Sequence, residues 1–197
     1  KAKSEGLPLS VEACPHYLYF SAEKLVDADP RFKCAPPIRE EILRKILWIG
    51  LTEGTIDTIG SDHSPCPPEM KHLPTCDWQA AWGGVSSLQL TLSIVRKAAS
   101  DLYPSMPLHC LAAWLSSNPA RLVGLDDRKG RLAAGFDADL CVWDPQEEWT
   151  VRGVELEHRH KVTAYEGERL LGRGIAWLAS QPMTTSRAKP PEKFFQT

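Results

Sequence analysis

Apolar positions follow two rhythms along this chain of 197 residues, and the change comes near Gly124. Before it, short apolar runs alternate with stretches of helical spacing. Residues 1–17 read as a strand with its exit loop, the run Leu9-Ser10-Val11-Glu12-Ala13 leading into His16. Residues 21–29 read as a short helix with Ser21 as its N-cap. Ile42, Leu43, Ile46, Leu47 and Leu51 recur at helical spacing, which predicts a helix over 40–53 stopped by Gly54. A strand is predicted over 55–60, then a long Pro-, Cys- and Gly-rich loop over 64–84; such loops inside compact domains are usually functional. Further helices are predicted over 85–99 and 108–115. Asn118-Pro119 is read as a cap with proline at the first helical position, opening a short helix to Leu122. Trp48 and Trp114 fall at helical spacing and read as core.

After Gly124 the rhythm shortens. Residues 130–132, 138–143 and 175–179 read as short strands. Strand–loop–helix units followed only by strands suggest an α/β fold: the end of a (β/α)8 barrel over 1–124, passing into part of a small β-domain over 125–180. The segment 181–197 is polar and proline-bearing and is expected to be a mobile tail.

Composition narrows the class. The chain is 43% hydrophobic and 24% charged, which is ordinary for a globular protein and argues against disorder. A net charge of -2 argues against a nucleic-acid partner, and no apolar run is long enough to span a bilayer. Six cysteines lack any C-x-x-C pair, and no secretory signal opens the chain, so reduced thiols are expected, in a cytoplasmic protein with the peroxisome and the mitochondrion as alternatives. Cys110 and Cys141 read as buried packing residues, while Cys34 and Cys66 sit beside the motif loops. Lys1 stands where a natural start would carry Met, which hints at a truncated or processed product.

The candidate chemistry lies where two apolar runs end. Ile56-Asp57-Thr58-Ile59 leads into Gly60-Ser61-Asp62-His63-Ser64-Pro65, and the first run leads into Cys14-Pro15-His16-Tyr17. A strand that delivers one acidic or imidazole side chain at its C-terminal end is how barrel enzymes build metal sites. A divalent ion lowers the pKa of water toward neutrality, and a carboxylate beside it can take a proton and return it to a leaving nitrogen. Asp62 is the candidate for that work, His16 a candidate ligand, and Ser64 is placed to bind polar groups of a substrate. Asp62 could instead cap the turn after its strand, His16 could be a packed histidine, and His63 could itself be the ligand. Cys34 by default is a small buried hydrophobe. His158-Arg159-His160 has zinc-ligand spacing but reads as a solvated surface segment and a poor metal site.

Several ordered motifs together resemble allantoinases, within the cyclic amidohydrolases that also include dihydropyrimidinases and dihydroorotases. They are Glu12-Ala-Cys-Pro-His16-Tyr17, Phe32-Lys-Cys-Ala-Pro-Pro-Ile-Arg39, Gly60-Ser-Asp-His-Ser-Pro-Cys-Pro-Pro-Glu69 and Ala81-Trp-Gly-Gly84. Asn118-Pro-Ala120, Gly130 to Asp139 and His160-Lys-Val-Thr-Ala-Tyr165 extend the likeness to about residue 178. The resemblance implies a (β/α)8 barrel with a binuclear zinc site and a small β-sandwich, hydrolysing allantoin to allantoate. It implies that His16 is the ligand ending the sixth barrel strand and Asp62 the ligand and general base ending the eighth. Cys34 and Ser64 match substrate-pocket positions, and Gly84 lies in a loop lining that pocket. A small-molecule substrate and, for the complete protein, a homo-oligomer are expected. The departures are equally specific. The H-x-H of the first strand, the carboxylated lysine of the fourth and the histidine of the fifth are not supplied, and the match begins only at about the sixth strand. Ala164 replaces a usual proline, and the run 175–180 lacks the usual glycine-ended turn. A partial barrel leaves an open strand edge, so this chain alone is expected to have neither the full metal site nor activity. The alternatives are a hydantoinase- or dihydropyrimidinase-like hydrolase of another cyclic ureide, and a non-catalytic remnant that binds a partner subunit.

Overall fold

The computed structural model describes residues 1–178. Its architecture is α/β. Strand β1 (Glu12–Ala13) runs parallel to β2 (Thr58–Ile59), with Glu12 opposite Thr58 and Ala13 opposite Ile59. Backbone bonds extend the pairing at both ends, from Asp57 N–H to the Val11 carbonyl (2.8 Å) and from Gly60 N–H to the Ala13 carbonyl (3.0 Å). The strands expected over 1–17 and 55–60 are thus shorter. Residues Lys3–Glu5 form a 3-10 turn, and Pro15, at the first position of helix α1 (Pro15–Tyr19), opens a helical turn at once. His16 therefore sits on a helical turn. The direct pairing also corrects the strand numbering implied by the resemblance. In the eight-stranded barrel that the resemblance implies, only consecutive strands are neighbours, so β1 immediately precedes β2 rather than lying two strands before it. His16 then does not end the sixth strand, and a ligand role for it rests on the geometry of the site alone.

The crossover between these strands carries helix α2 (Glu41–Thr52), as its spacing predicts. Its orientation differs from the simplest reading: Ile42, Leu43 and Ile46 are exposed, while Arg44, Trp48 and Leu51 are buried. Two polar groups set that rotation. The Trp48 indole N–H and the Arg44 guanidinium both donate to the Leu18 carbonyl, at 3.0 and 3.2 Å. The helix expected over 21–29 is only a 3-10 turn, Ala22–Lys24; Leu25 is extended, and Ser21 makes no capping bond.

Helix α3 (Thr91–Leu102) starts later than the predicted 85–99, because Val85 is held in a parallel bridge to His63. Helix α4 (Leu108–Ala112) passes through a π-helical turn, Ala113–Ser117, into α5 (Asn118–Leu122). Asn118 is thus inside a continuous helix, with helical φ and ψ, and not its cap. The wide turn accommodates the missing N–H of Pro119, and the Asn118 amide donates instead to the Asp57 carbonyl (2.8 Å).

Strand β3 (Leu140–Thr150) pairs antiparallel with β4 (Arg169–Leu178). No strand forms over 130–132, and the strand expected over 138–143 begins at Leu140 and runs on well beyond Trp143. Among the described residues this is a two-stranded sheet. Ala179 and the segment 181–197 lie outside the described residues.

Two apolar clusters flank α3. One holds Leu18, Trp48, Val95, Ala98, Leu111 and Trp114, so both tryptophans are core as expected. The other holds Phe20, Phe32, Leu90, Ile94, Tyr165 and Leu170. There Phe20 stacks on Tyr165 (centroids 4.7 Å apart) and meets Phe32 edge-on (5.0 Å), tying the C-terminal segment to the strand–helix unit. Cys110 and Cys141 are half-buried rather than buried, and Cys66 is buried.

Candidate metal and substrate site

The parallel pairing of β1 and β2 brings both run ends together. His16 Nε2 lies 3.9 Å from Asp62 Oδ2. With the Cys14 sulfur, these donor atoms fall within 4.8 Å of one another, the group of this kind that the described residues form. The carboxylate is 58% exposed and the imidazole 1%. Asp62 takes a left-handed backbone, φ 45°, which aspartate tolerates better than most residues.

Burial sets the electrostatics. It lowers the His16 pKa to about 4, against the opposing pull of Asp62, so the ring is neutral. Neither ring nitrogen finds a hydrogen-bond partner among the described residues. A buried polar atom without a partner costs free energy, and a neutral imidazole with a free lone pair beside an open carboxylate is a donor set suited to a divalent cation. Burial, then Asp62 and Glu12, push the Cys14 thiol up to about 12. Cys14 is therefore a neutral thiol at the rim, and the donor set rests on His16 and Asp62.

The residues expected around a substrate form one connected frame. The Tyr17 hydroxyl (2.7 Å) and the Cys34 thiol (3.3 Å) both donate to the Pro36 carbonyl, which seats the 32–37 loop beside the His16 ring. Gly84 N–H donates to the Lys33 carbonyl (2.8 Å). Ser64 presses on Gly84 so closely that a Cβ there would lie 2.4 Å from the Ser64 oxygen; this position requires glycine. The Trp82 indole N–H donates to that same oxygen (3.2 Å), leaving the Ser64 hydroxyl proton free to donate elsewhere.

His63 is not part of the donor group. Its Nδ1 accepts from the Ser87 and Leu88 N–H groups, both at 3.0 Å, and its ring tilts against His158, centroids 4.7 Å apart. His158 itself is buried and bonded through Nδ1 to the Ser86 hydroxyl (2.9 Å), which corrects the reading of 158–160 as a solvated surface segment at that residue, while Arg159 is exposed and His160 half-buried. Apolar Leu156 and Val162 near it were the available signal. Sequence reasoning also missed Lys71. It is 4% exposed and donates to three carbonyls of the 30–84 region, an arrangement with no local sequence signature.

The amidohydrolase family profile matches residues 18–169. The chain is 46% identical over 171 residues to an allantoinase of Streptomyces avermitilis, covering 87% of this chain and 37% of that protein. It is 41% identical to an allantoinase of Arabidopsis thaliana, covering 89% and 35%. Among solved structures it resembles an L-hydantoinase (dihydropyrimidinase) from Arthrobacter aurescens, with a TM-score of 0.84 at 29% identity, covering 92% and 40%. The chain thus spans little more than a third of the length of the curated relatives it matches. The residues that the family profile matches nonetheless take in α2, α3 and the Asp62 turn, and the chain belongs to the amidohydrolase family.

Proposed function

We propose that this chain supplies the closing strands of a zinc-dependent cyclic amidohydrolase that opens allantoin to allantoate. Residues 1–124 are the last part of its barrel, and 125–180 are part of a β-sandwich. The single observation that carries the reading is the neutral, buried His16 imidazole, unpartnered at both nitrogens, 3.9 Å from the open carboxylate of Asp62. These two residues would hold the zinc ion, which when bound lowers the pKa of water and polarises a ring carbonyl. Asp62 also serves as general base. It takes the proton of the attacking water as the new C–O bond forms. It then passes that proton to the ring nitrogen as the C–N bond breaks. The Ser64 hydroxyl donates to a polar group of the ureide, and Cys34 and Gly84 wall the same pocket. The substrate is a small molecule, and the complete protein is read as a cytoplasmic homo-oligomer.

The test is turnover of allantoin, hydantoin and dihydrouracil by the complete polypeptide and its Asp62→Asn variant. The expected result is preference for allantoin and a loss of about 10²–10⁴-fold on substitution, the usual contribution of a positioned acid–base group. Faster turnover of hydantoin or dihydrouracil would favour the second reading, which the likeness to the hydantoinase structure supports. Full activity of Asp62→Asn would overturn both.

A further inference from the structure

Asp62 is held from both sides by one buried residue, through its side chain on one side and its backbone on the other. Ser87 is 0% exposed. Its hydroxyl donates to the Ser61 carbonyl (2.8 Å), and its backbone N–H donates to His63 Nδ1 (3.0 Å). The residues before and after Asp62 are therefore both tied to Ser87, with the left-handed Asp62 between them. A non-glycine residue stays in that region only when its surroundings over-determine it. The next hydrogen bonds along the chain reinforce the tie: Ser64 N–H donates to the Val85 carbonyl (3.0 Å), and Val85 bridges His63. The neighbouring Ser86 is anchored in turn from the C-terminal segment. Its hydroxyl bonds His158 Nδ1 (2.9 Å), and its carbonyl accepts from the Thr163 hydroxyl (2.7 Å).

We infer that Ser87 is a positioning residue that fixes the direction of the Asp62 carboxylate, with His158 and Thr163 bracing it from the C-terminal segment. Rigid support of this kind governs how well a carboxylate ligand holds a metal. The inference rests on the reading of Asp62 as a metal ligand. Ser87 touches neither metal nor substrate, so its loss acts only through the geometry of Asp62.

The experiment uses the complete polypeptide loaded with cobalt(II), whose visible absorption reports ligand geometry, with Ser87→Ala and Thr163→Ser compared to the parent. Ser87→Ala is expected to weaken cobalt retention by about 10–100-fold, the usual cost of losing an outer-shell partner. It should also shift the cobalt spectrum and leave the KM for substrate unchanged. Thr163→Ser, which keeps its hydroxyl, should match the parent. A parent-like spectrum and affinity in Ser87→Ala would overturn the inference. If the parent binds no cobalt, the metal reading fails separately, and hydrogen exchange at residues 61–64 then decides. Lost protection in Ser87→Ala upholds the clamp, and unchanged protection rejects it. Should Ser87→Ala not fold, Ser87→Cys, which keeps a weak donor, is read by the same spectrum and exchange.

Discussion

Lys71 and His16 are buried alike, at 4% and 1% exposed, and their hydrogen-bond accounts are opposite. The Lys71 ammonium donates to the carbonyls of Pro30 (3.2 Å), Trp82 (2.9 Å) and Gly84 (2.7 Å). All three of its N–H groups are spent inside the fold, where they tie the 64–84 loop to the segment that carries Cys34. His16 has two ring nitrogens and no partner for either among the described residues. Burial of a polar group is tolerated when it is satisfied. The lysine is therefore explained by the fold alone. The histidine is left over by it, and on the proposed reading its partner is the metal. The comparison separates a group that builds the pocket from one that the fold leaves unsatisfied.

Replacing the lysine should produce the largest effect. Lys71→Met removes the ammonium and leaves three carbonyls without their donor. A loss of about 3–5 kcal/mol is expected, in the range for breaking a buried charged network. Urea unfolding followed by tryptophan fluorescence measures it. A midpoint equal to the parent's would mean the carbonyls find water, and the contrast with His16 would collapse.

Acid titration tests the other side. In metal-free protein the folded His16 pKa is lowered to about 4 from 6.5, so between these values the unfolded chain binds more protons than the folded one. Stability is then fully present above pH 6.5 and is lost as pH falls toward 4, by about 3 kcal/mol in total. His16→Leu should remove that slope while leaving stability at pH 7 close to the parent's. A slope that survives in His16→Leu would assign it to other groups and would make His16 an ordinary core residue.

The two residues also differ in how they could be read from sequence. His16 and Asp62 each end an apolar run, so the juxtaposition follows once two parallel strands are assumed. Lys71 and Ser87 carry no such mark. Their partners are backbone atoms of segments distant along the chain, and backbone carbonyls look alike in any sequence. The elements follow the same divide. Helix α2 was legible from its spacing, but its rotation was not, because the Leu18 carbonyl that captures Trp48 and Arg44 belongs to another element. Strand β3 runs on past Trp143, where the expected strand ends, through Pro145 and the charged residues after it. The pairing shifts register between Asp144 and Glu148, where Pro145, Gln146 and Glu147 stand opposite Gly172. A bulge is where a strand can carry a residue with no N–H. The interior position of Asn118 was hidden because a cap and a π turn use the same residues.

The smallest effect bears on whether an unpartnered buried group always marks a site. The Tyr165 hydroxyl also lacks a partner among the described residues, yet its ring stacks on Phe20 and meets Tyr19 and it is no member of the donor group. Burial raises its pKa well above the ordinary phenol value, so it is a neutral hydroxyl paying for its desolvation. Tyr165→Phe keeps the stack and removes the orphan oxygen, and a gain of about 1 kcal/mol is expected. The thermal midpoint should rise and metal binding should not change. That outcome would make orphaned polar atoms diagnostic only where, as at His16, a carboxylate shares the space. A loss of stability instead would show that the hydroxyl has a partner, and Tyr165 would join Lys71 among the groups that the fold itself satisfies.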